Sequence, residues 1–198
     1  MVNGLYDVRV YDDFTLTSDS TITGFYGNFL QYTDVNSNRL YWEIRSGVSE
    51  GDGGSVVKAP TISNAVATNT GQTFGLHTLW NYESAVTPFV LTAGTYYLTL
   101  AVFGGGGTDW ASAARTAGTN GVGNPLGNGN SYQDAWNAFA PGGPAHYMNF
   151  QDASVTTMIT PTDFSYGIRG SAIVPEPASL AILACGTFSL FVRRRSRK

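Results

Sequence analysis

The sequence predicts an all-β fold, an antiparallel β-sandwich or jelly roll of about 8–10 short strands. Three observations predict it. Runs rich in β-branched and aromatic residues recur along the chain, many alternating apolar with polar. Polar clusters of Gly, Asn and Asp separate these runs. Helix formers are scarce: Lys occurs only at Lys58 and Lys198, whereas 24 of 198 residues are Gly. Hydrophobic residues make up 42% and aromatics 13%, enough to build a core. At roughly 100–200 residues per domain, the chain is one body plus a tail.

The strands are expected in the following order. Residues 5–14 begin the body, with Tyr6, Val8 and Val10 alternating with Asp7 and Arg9. Residues 21–32 (TITGFYGNFLQY) follow, then 39–45 (RLYWEIR), where Leu40, Trp42 and Ile44 share one face. Residues 61–68 are a weaker run, 72–82 (QTFGLHTLWNY) a stronger one, and 88–91 a short one. Residues 94–103 (GTYYLTLAVF) alternate most cleanly, with Tyr96, Leu98, Leu100 and Val102 facing one way. Residues 146–150, 154–159 and 164–173 complete the set. Turn signals stand at 36–38, 50–54, 69–71 and 93–94. A helical turn or two fits only residues 131–139.

Residues 104–144 differ in composition. They contain Gly104-Gly105-Gly106-Gly107, three further Gly-bearing pairs at 120–121, 128–129 and 142–143, and the tryptophans Trp110 and Trp136. This predicts a long Gly/Asn-rich excursion over one end or face of the sandwich. Trp110, Tyr132 and Trp136 are candidate carbohydrate-binding residues, because aromatic faces stack on the apolar patches of sugars. The plainer alternative is that the tryptophans pin the loop to the sheet.

The body spans residues 1–173 and the tail 174–198. In the tail, Val174-Pro175-Glu176-Pro177 is an extended joint, since prolines this close fit neither a helix interior nor a central strand. Residues 178–192 carry no formal charge. This run predicts a single hydrophobic helix, shorter than the usual span of about 20 residues, which snorkelling arginines can extend. The basic end at 193–198 follows: Arg193, Arg194, Arg195, Arg197 and Lys198. Basic residues favour the cytoplasmic side, which leaves the body outside the cytoplasm. Cys185, the one cysteine, lies in the apolar run and reads as a small hydrophobe. The body therefore has no thiol for disulfides, zinc or catalysis.

The order of proline joint, short apolar run and arginine stop resembles the PEP-CTERM sorting signal of exported bacterial proteins. The motif residues are Val174, Pro175, Glu176, Pro177 and Ala178. The resemblance covers about 25 residues, a span close to that of one membrane helix with its flanks. It implies a partner, the membrane-embedded transpeptidase-like exosortase, and a transient inner-membrane anchor. It further implies delivery to the cell surface or extracellular matrix of exopolysaccharide-making Gram-negative bacteria. An N-terminal signal peptide is expected with such a tail. The opening Met1-Val2-Asn3-Gly4-Leu5 is not one, so a truncated or misassigned start is expected. Residues 12–24, 91–97 and 164–170 are also similar to uncharacterised β-sandwich bodies that precede this tail.

The body offers little chemistry. Residues 1–192 hold six basic and 14 acidic side chains, a formal charge of −8. This argues against a nucleic-acid partner. His77 and His146 lie far apart with no zincin pattern, and there is no Gly-x-Ser-x-Gly elbow or phosphate loop. Candidate glycosidase carboxylates are Glu43, Glu50, Asp52, Glu83 and Asp109. Alternation places Glu43 opposite Leu40, Trp42 and Ile44, hence toward solvent. Asp34, Glu50 and Asp52 are the weak calcium candidates. The Asp34 run departs from an EF-hand at Arg39 and Arg45, and no other cofactor is expected. The leading expectation is a non-enzymatic exported surface protein. The alternatives are a carbohydrate-binding module in exopolysaccharide and, behind it, a polysaccharide hydrolase.

Overall fold

The computed structural model describes residues 8–31, 38–102, 111–113, 115–116, 131–135, 145–149 and 163–173. Every regular element among them is a β-strand. β1 (Val8–Leu16), β2 (Ser20–Gln31), β3 (Arg39–Ser46), β4 (Ser55–Asn64), β5 (Val66–Phe74), β6 (His77–Leu91) and β7 (Gly94–Val102) form the main frame. The short strands β8 (Ala111–Ala113), β9 (Arg115–Thr116), β10 (Tyr132–Ala135), β11 (Ala145–Asn149) and β12 (Asp163–Phe164) precede β13 (Tyr166–Ala172). One sheet has the order β11-β10-β1-β7-β3-β4. The other runs β13-β2-β6-β5, with β8 also on β2, while β9 pairs with β12. All pairings are antiparallel.

Alternation builds the core. Leu40, Trp42 and Ile44 of β3 pair in register with Val102, Leu100 and Leu98 of β7, so one apolar face forms across both strands. The second sheet answers with Ile22, Phe25, Phe29, Tyr82 and Leu91, all buried in the same cluster. Phe25 meets Trp42 at 4.7 Å between ring centroids, and Trp42 stacks on Phe89 at 6.0 Å. Two antiparallel sheets sharing one apolar interior are the arrangement of a β-sandwich.

Bulges explain where alternation breaks. Ile22 and Phe25 are three apart yet both buried. The register of β2 shifts there against both neighbours, β13 and β6. The shift turns the strand so that both residues face inward. Gly24 sits at the bulge, where a Cβ would lie 2.5 Å from the Ser84 carbonyl oxygen.

Several expectations change. Residues 131–139 do not begin a helical turn: Tyr132–Ala135 is strand β10, held between β1 and β11. The run 72–82 is not one strand. It breaks at Gly75, whose φ of 61° makes the β5–β6 turn. The short 88–91 run is the end of β6, 15 residues long. The 61–68 run is divided at Ala65 between β4 and β5, and the 69–71 turn signal is a bulge inside β5. Residues 55–60, unassigned from sequence, open β4. The described parts of residues 104–144 supply strands to both sheets: β10 lies between β1 and β11, and β8 pairs with β2. The 154–159 run and the tail helix at 178–192 lie outside the described residues.

A buried carboxylate ties distant segments together. Asp12 of β1 accepts hydrogen bonds from the Ser131 hydroxyl at 2.8 Å and the Phe164 N–H at 2.5 Å. All six basic side chains of the body, Arg9, Arg39, Arg45, Lys58, Arg115 and Arg169, stand within strands.

Candidate functional site

The outer face of the six-stranded sheet carries the body's densest polar and aromatic chemistry. Pairing fixes its rows. Glu43 of β3 lies opposite Thr99 of β7, which lies opposite Tyr11 of β1, which lies opposite Tyr132 of β10. In the adjacent row Arg45 faces Tyr97, and Tyr97 faces Asp13. Thr95 and Thr15 form the next row, their hydroxyls 3.0 Å apart.

Glu43 corrects an expectation. It does lie opposite Leu40, Trp42 and Ile44, but it is fully buried rather than solvent-facing. Its Oε2 accepts hydrogen bonds from the Tyr11 and Tyr41 hydroxyls, both at 3.0 Å. Its Oε1 accepts one from Arg45 Nε at 2.6 Å, and Arg9 lies 3.8 Å away. Arg9 rests over the Tyr41 ring, and Arg45 over the rings of Tyr11 and Tyr147. Arg45 also donates to the Gly53 carbonyl, and Gly51 N–H donates to the Tyr147 carbonyl. The β3–β4 loop and Tyr147 thus close over the face. Gly53 lets the loop approach, since a Cβ there would sit 2.3 Å from the Tyr147 ring.

This setting fixes protonation. Burial pushes the Tyr11 hydroxyl far above the usual tyrosine range, and the Glu43 charge pushes it further. Burial opposes the Arg45 charge, but Glu43, with Tyr11 and Tyr147, outweighs that and holds the guanidinium protonated. A carboxylate so enclosed serves packing, and it has no open side from which to reach a substrate. Thr99 Oγ1, at the centre of the row, has no hydrogen-bond partner among the described residues.

The accessible part of this face lies where the far end of the Glu43 row, Tyr132, meets Tyr97 of the adjacent row. Tyr97 and Tyr132 are half-buried, their rings edge to face at 5.9 Å. Arg45 flanks Tyr97 on one side and Asp13 on the other. Burial raises the Tyr97 hydroxyl above its ordinary range, with Tyr132 and Asp13 adding to the effect. The face of the Tyr97 ring can stack on a sugar while the Asp13 carboxylate beside it accepts hydrogen bonds from the sugar hydroxyls.

The other candidates separate. Tyr132 touches Tyr97 from the adjacent row, whereas Trp110, Trp136, Asp34 and Asp109 lie outside the described residues. So do the motif Val174, Pro175, Glu176, Pro177, Ala178, the apolar run with Cys185, and the basic end. Glu50 and Asp52 are exposed in the β3–β4 turn, where Asp52 Oδ1 accepts the Gly54 N–H at 2.9 Å. No group of three metal-ligating side chains occurs among the described residues. Glu83 lies on the outer face of the other sheet, 2.7 Å from Arg169, and cannot share a cleft with Glu43. His77 is exposed at the start of β6, and His146 falls on β11. Among the described residues no helix is long and apolar enough to cross a membrane.

Sequence reasoning missed Tyr97, Arg45 and Asp13 as neighbours because they come from three strands spread over 84 positions. The one available signal was the alternation itself, which puts Tyr97 opposite the Leu98 face. No family model, curated protein or solved structure matches the chain.

Proposed function

We propose that this chain is an exported, non-enzymatic protein of the bacterial cell surface or extracellular matrix. Its address is the segment 174–198, processed by an exosortase after transient anchoring in the inner membrane. The observation that carries this reading is the order of the tail: Pro175-Glu176-Pro177, fifteen uncharged residues, then five basic residues in six. Processing breaks one peptide bond near the motif, and the acyl group passes to water or to an acceptor nucleophile. A cysteine-free, acidic β-sandwich body suits a life outside the cytoplasm without disulfides.

The test is the intact mass of the protein recovered from the native cell surface. A mass lacking everything beyond about residue 177 is expected, because two prolines two apart disfavour helix and central strand, as a cleavable joint requires. A mass retaining the tail makes it a plain anchor and overturns the exosortase reading. Glu176→Ala is expected to leave full-length protein in the inner membrane.

A second reading concerns what the body binds. The Tyr97–Tyr132 pair, flanked by Arg45 and Asp13, favours a carbohydrate ligand such as exopolysaccharide. Stacking on an aromatic ring is worth about 0.5–1.5 kcal/mol. Tyr97→Ala is therefore expected to weaken retention on an exopolysaccharide column up to about tenfold. Unchanged retention moves any glycan site elsewhere.

A further inference from the structure

β13 ends where the sorting motif begins. Its ladder with β2 runs from Tyr166↔Gly27 to Ala172↔Ser20. The Ile173 N–H then donates to the Asp19 carbonyl at 2.7 Å. Asp19 is itself fixed, since its Oδ1 accepts the Ala93 N–H at 2.9 Å. The next residue, Val174, opens the motif. Among the described residues, this hydrogen bond stands immediately before the segment an enzyme must grasp.

Distance makes this consequential. Four residues, 174–177, separate Ile173 from the apolar run. Fully extended they reach at most about 14 Å. The end of the sandwich carrying the 17–19 and 92–93 turns must therefore lie against the membrane when the apolar run is inserted. An enzyme that binds its substrate extended needs several residues on both sides of the scissile bond free of other partners.

The two halves of β13 are held differently. Tyr166 is buried, its hydroxyl donating to the Leu100 carbonyl at 2.9 Å, and Ile168 packs against the core. Gly170, Ser171, Ala172 and Ile173 are all exposed. The register shifts between Arg169 and Gly170, a seam between the two halves. Beyond that seam the strand is held mainly by backbone hydrogen bonds, each worth only about 0.5–1.5 kcal/mol net. It is the part of β13 that opens at least cost.

We propose that Gly170–Ile173 is a detachable end of β13 whose release from β2 sets the rate of tail processing. This rests on the sorting-signal reading above. The test places Ser20→Cys and Ala172→Cys in a Cys185→Ala chain, because these facing positions suit a cross-strand disulfide. Processing is followed by intact mass in cells of the native host. The oxidised pair is expected to slow processing at least tenfold, as a chain that cannot open must react through a rare state. Reductant restores the rate. A Gly-Ser-Gly-Ser spacer inserted after Ile173 is expected to restore processing even in the oxidised pair, since the motif then reaches the enzyme without strand release. Equal rates for locked and unlocked chains overturn this inference and leave the sorting reading intact. Absence of processing in the unsubstituted chain overturns both.

Discussion

Glu43 shows how much one residue depends on its enclosure. Removing a single partner from a buried ion pair typically costs about 3–5 kcal/mol. Here the guanidiniums of Arg9 and Arg45 keep some contact with water, which limits the loss. Glu43→Ala is expected to destabilise the body by about 3 kcal/mol, measured by urea unfolding. Glu83→Ala breaks an exposed pair and is expected to cost at most about 1 kcal/mol, less in salt. Thr99→Val removes a buried hydroxyl with no partner among the described residues, so a gain of up to about 1 kcal/mol is expected in the same assay. Tyrosine burial sets the pH response. Tyr11, Tyr82, Tyr97 and Tyr166 are all raised above the ordinary range, chiefly by burial. A folded-state pKa above the unfolded one stabilises the fold while the group stays protonated. That contribution is complete below pH of about 10 and is lost as pH rises toward the folded-state values. Thermal unfolding against pH is expected to be flat on this account through neutrality and to fall steeply above about pH 10. Tyr11→Phe is expected to shallow that fall.

At the scale of elements, glycine placement decides what the strands tolerate. Gly24→Ala pushes a methyl into the Ser84 carbonyl at the β2 bulge. The cost is expected to be about 1–3 kcal/mol by thermal unfolding. The sequence made strands with strict alternation legible: β7 falls within one residue of the expected span, and β3 likewise. The span of β2 was legible too, within one residue, but its bulge was not, because a bulge swaps the two faces and makes Ile22 and Phe25 look out of phase. Residues 55–60, with Lys58 and Pro60, look unlike a strand because β4 is a sheet edge, where such residues are used to block further pairing. Tyr132–Ala135 carries no β-branched residue and becomes a strand only because β1 and β11 receive it. The face of Glu43 was legible and its burial was not. Alternation assigns a side of the sheet but says nothing about the loop at Gly51–Gly53 and the Tyr147 ring that cover it.

For the whole molecule, topology governs how the body forms. β1 pairs with β7 and β10, and β2 with β13, across separations of up to 152 residues. Such non-local pairing slows folding, because the loop must close before any contact rewards it. Refolding from urea, followed by tryptophan fluorescence, is expected on a millisecond-to-second scale. Microsecond refolding contradicts that expectation. Asp12 is a point at which this non-local assembly is tied together, since two of its donors lie 119 and 152 positions further along the chain.

The siting of the basic residues has a consequence for resistance to proteolysis. Enzymes of trypsin type cut after Arg or Lys and need a flexible stretch around the bond. All six such residues of the body stand in strands, with Arg9 and Arg45 packed on tyrosine rings. A body with so few cut points, each already laced into a sheet, yields to such enzymes only by opening first. Its lifetime in the presence of such an enzyme is then set by the stability of the sandwich, and not by how many cleavable bonds its sequence contains.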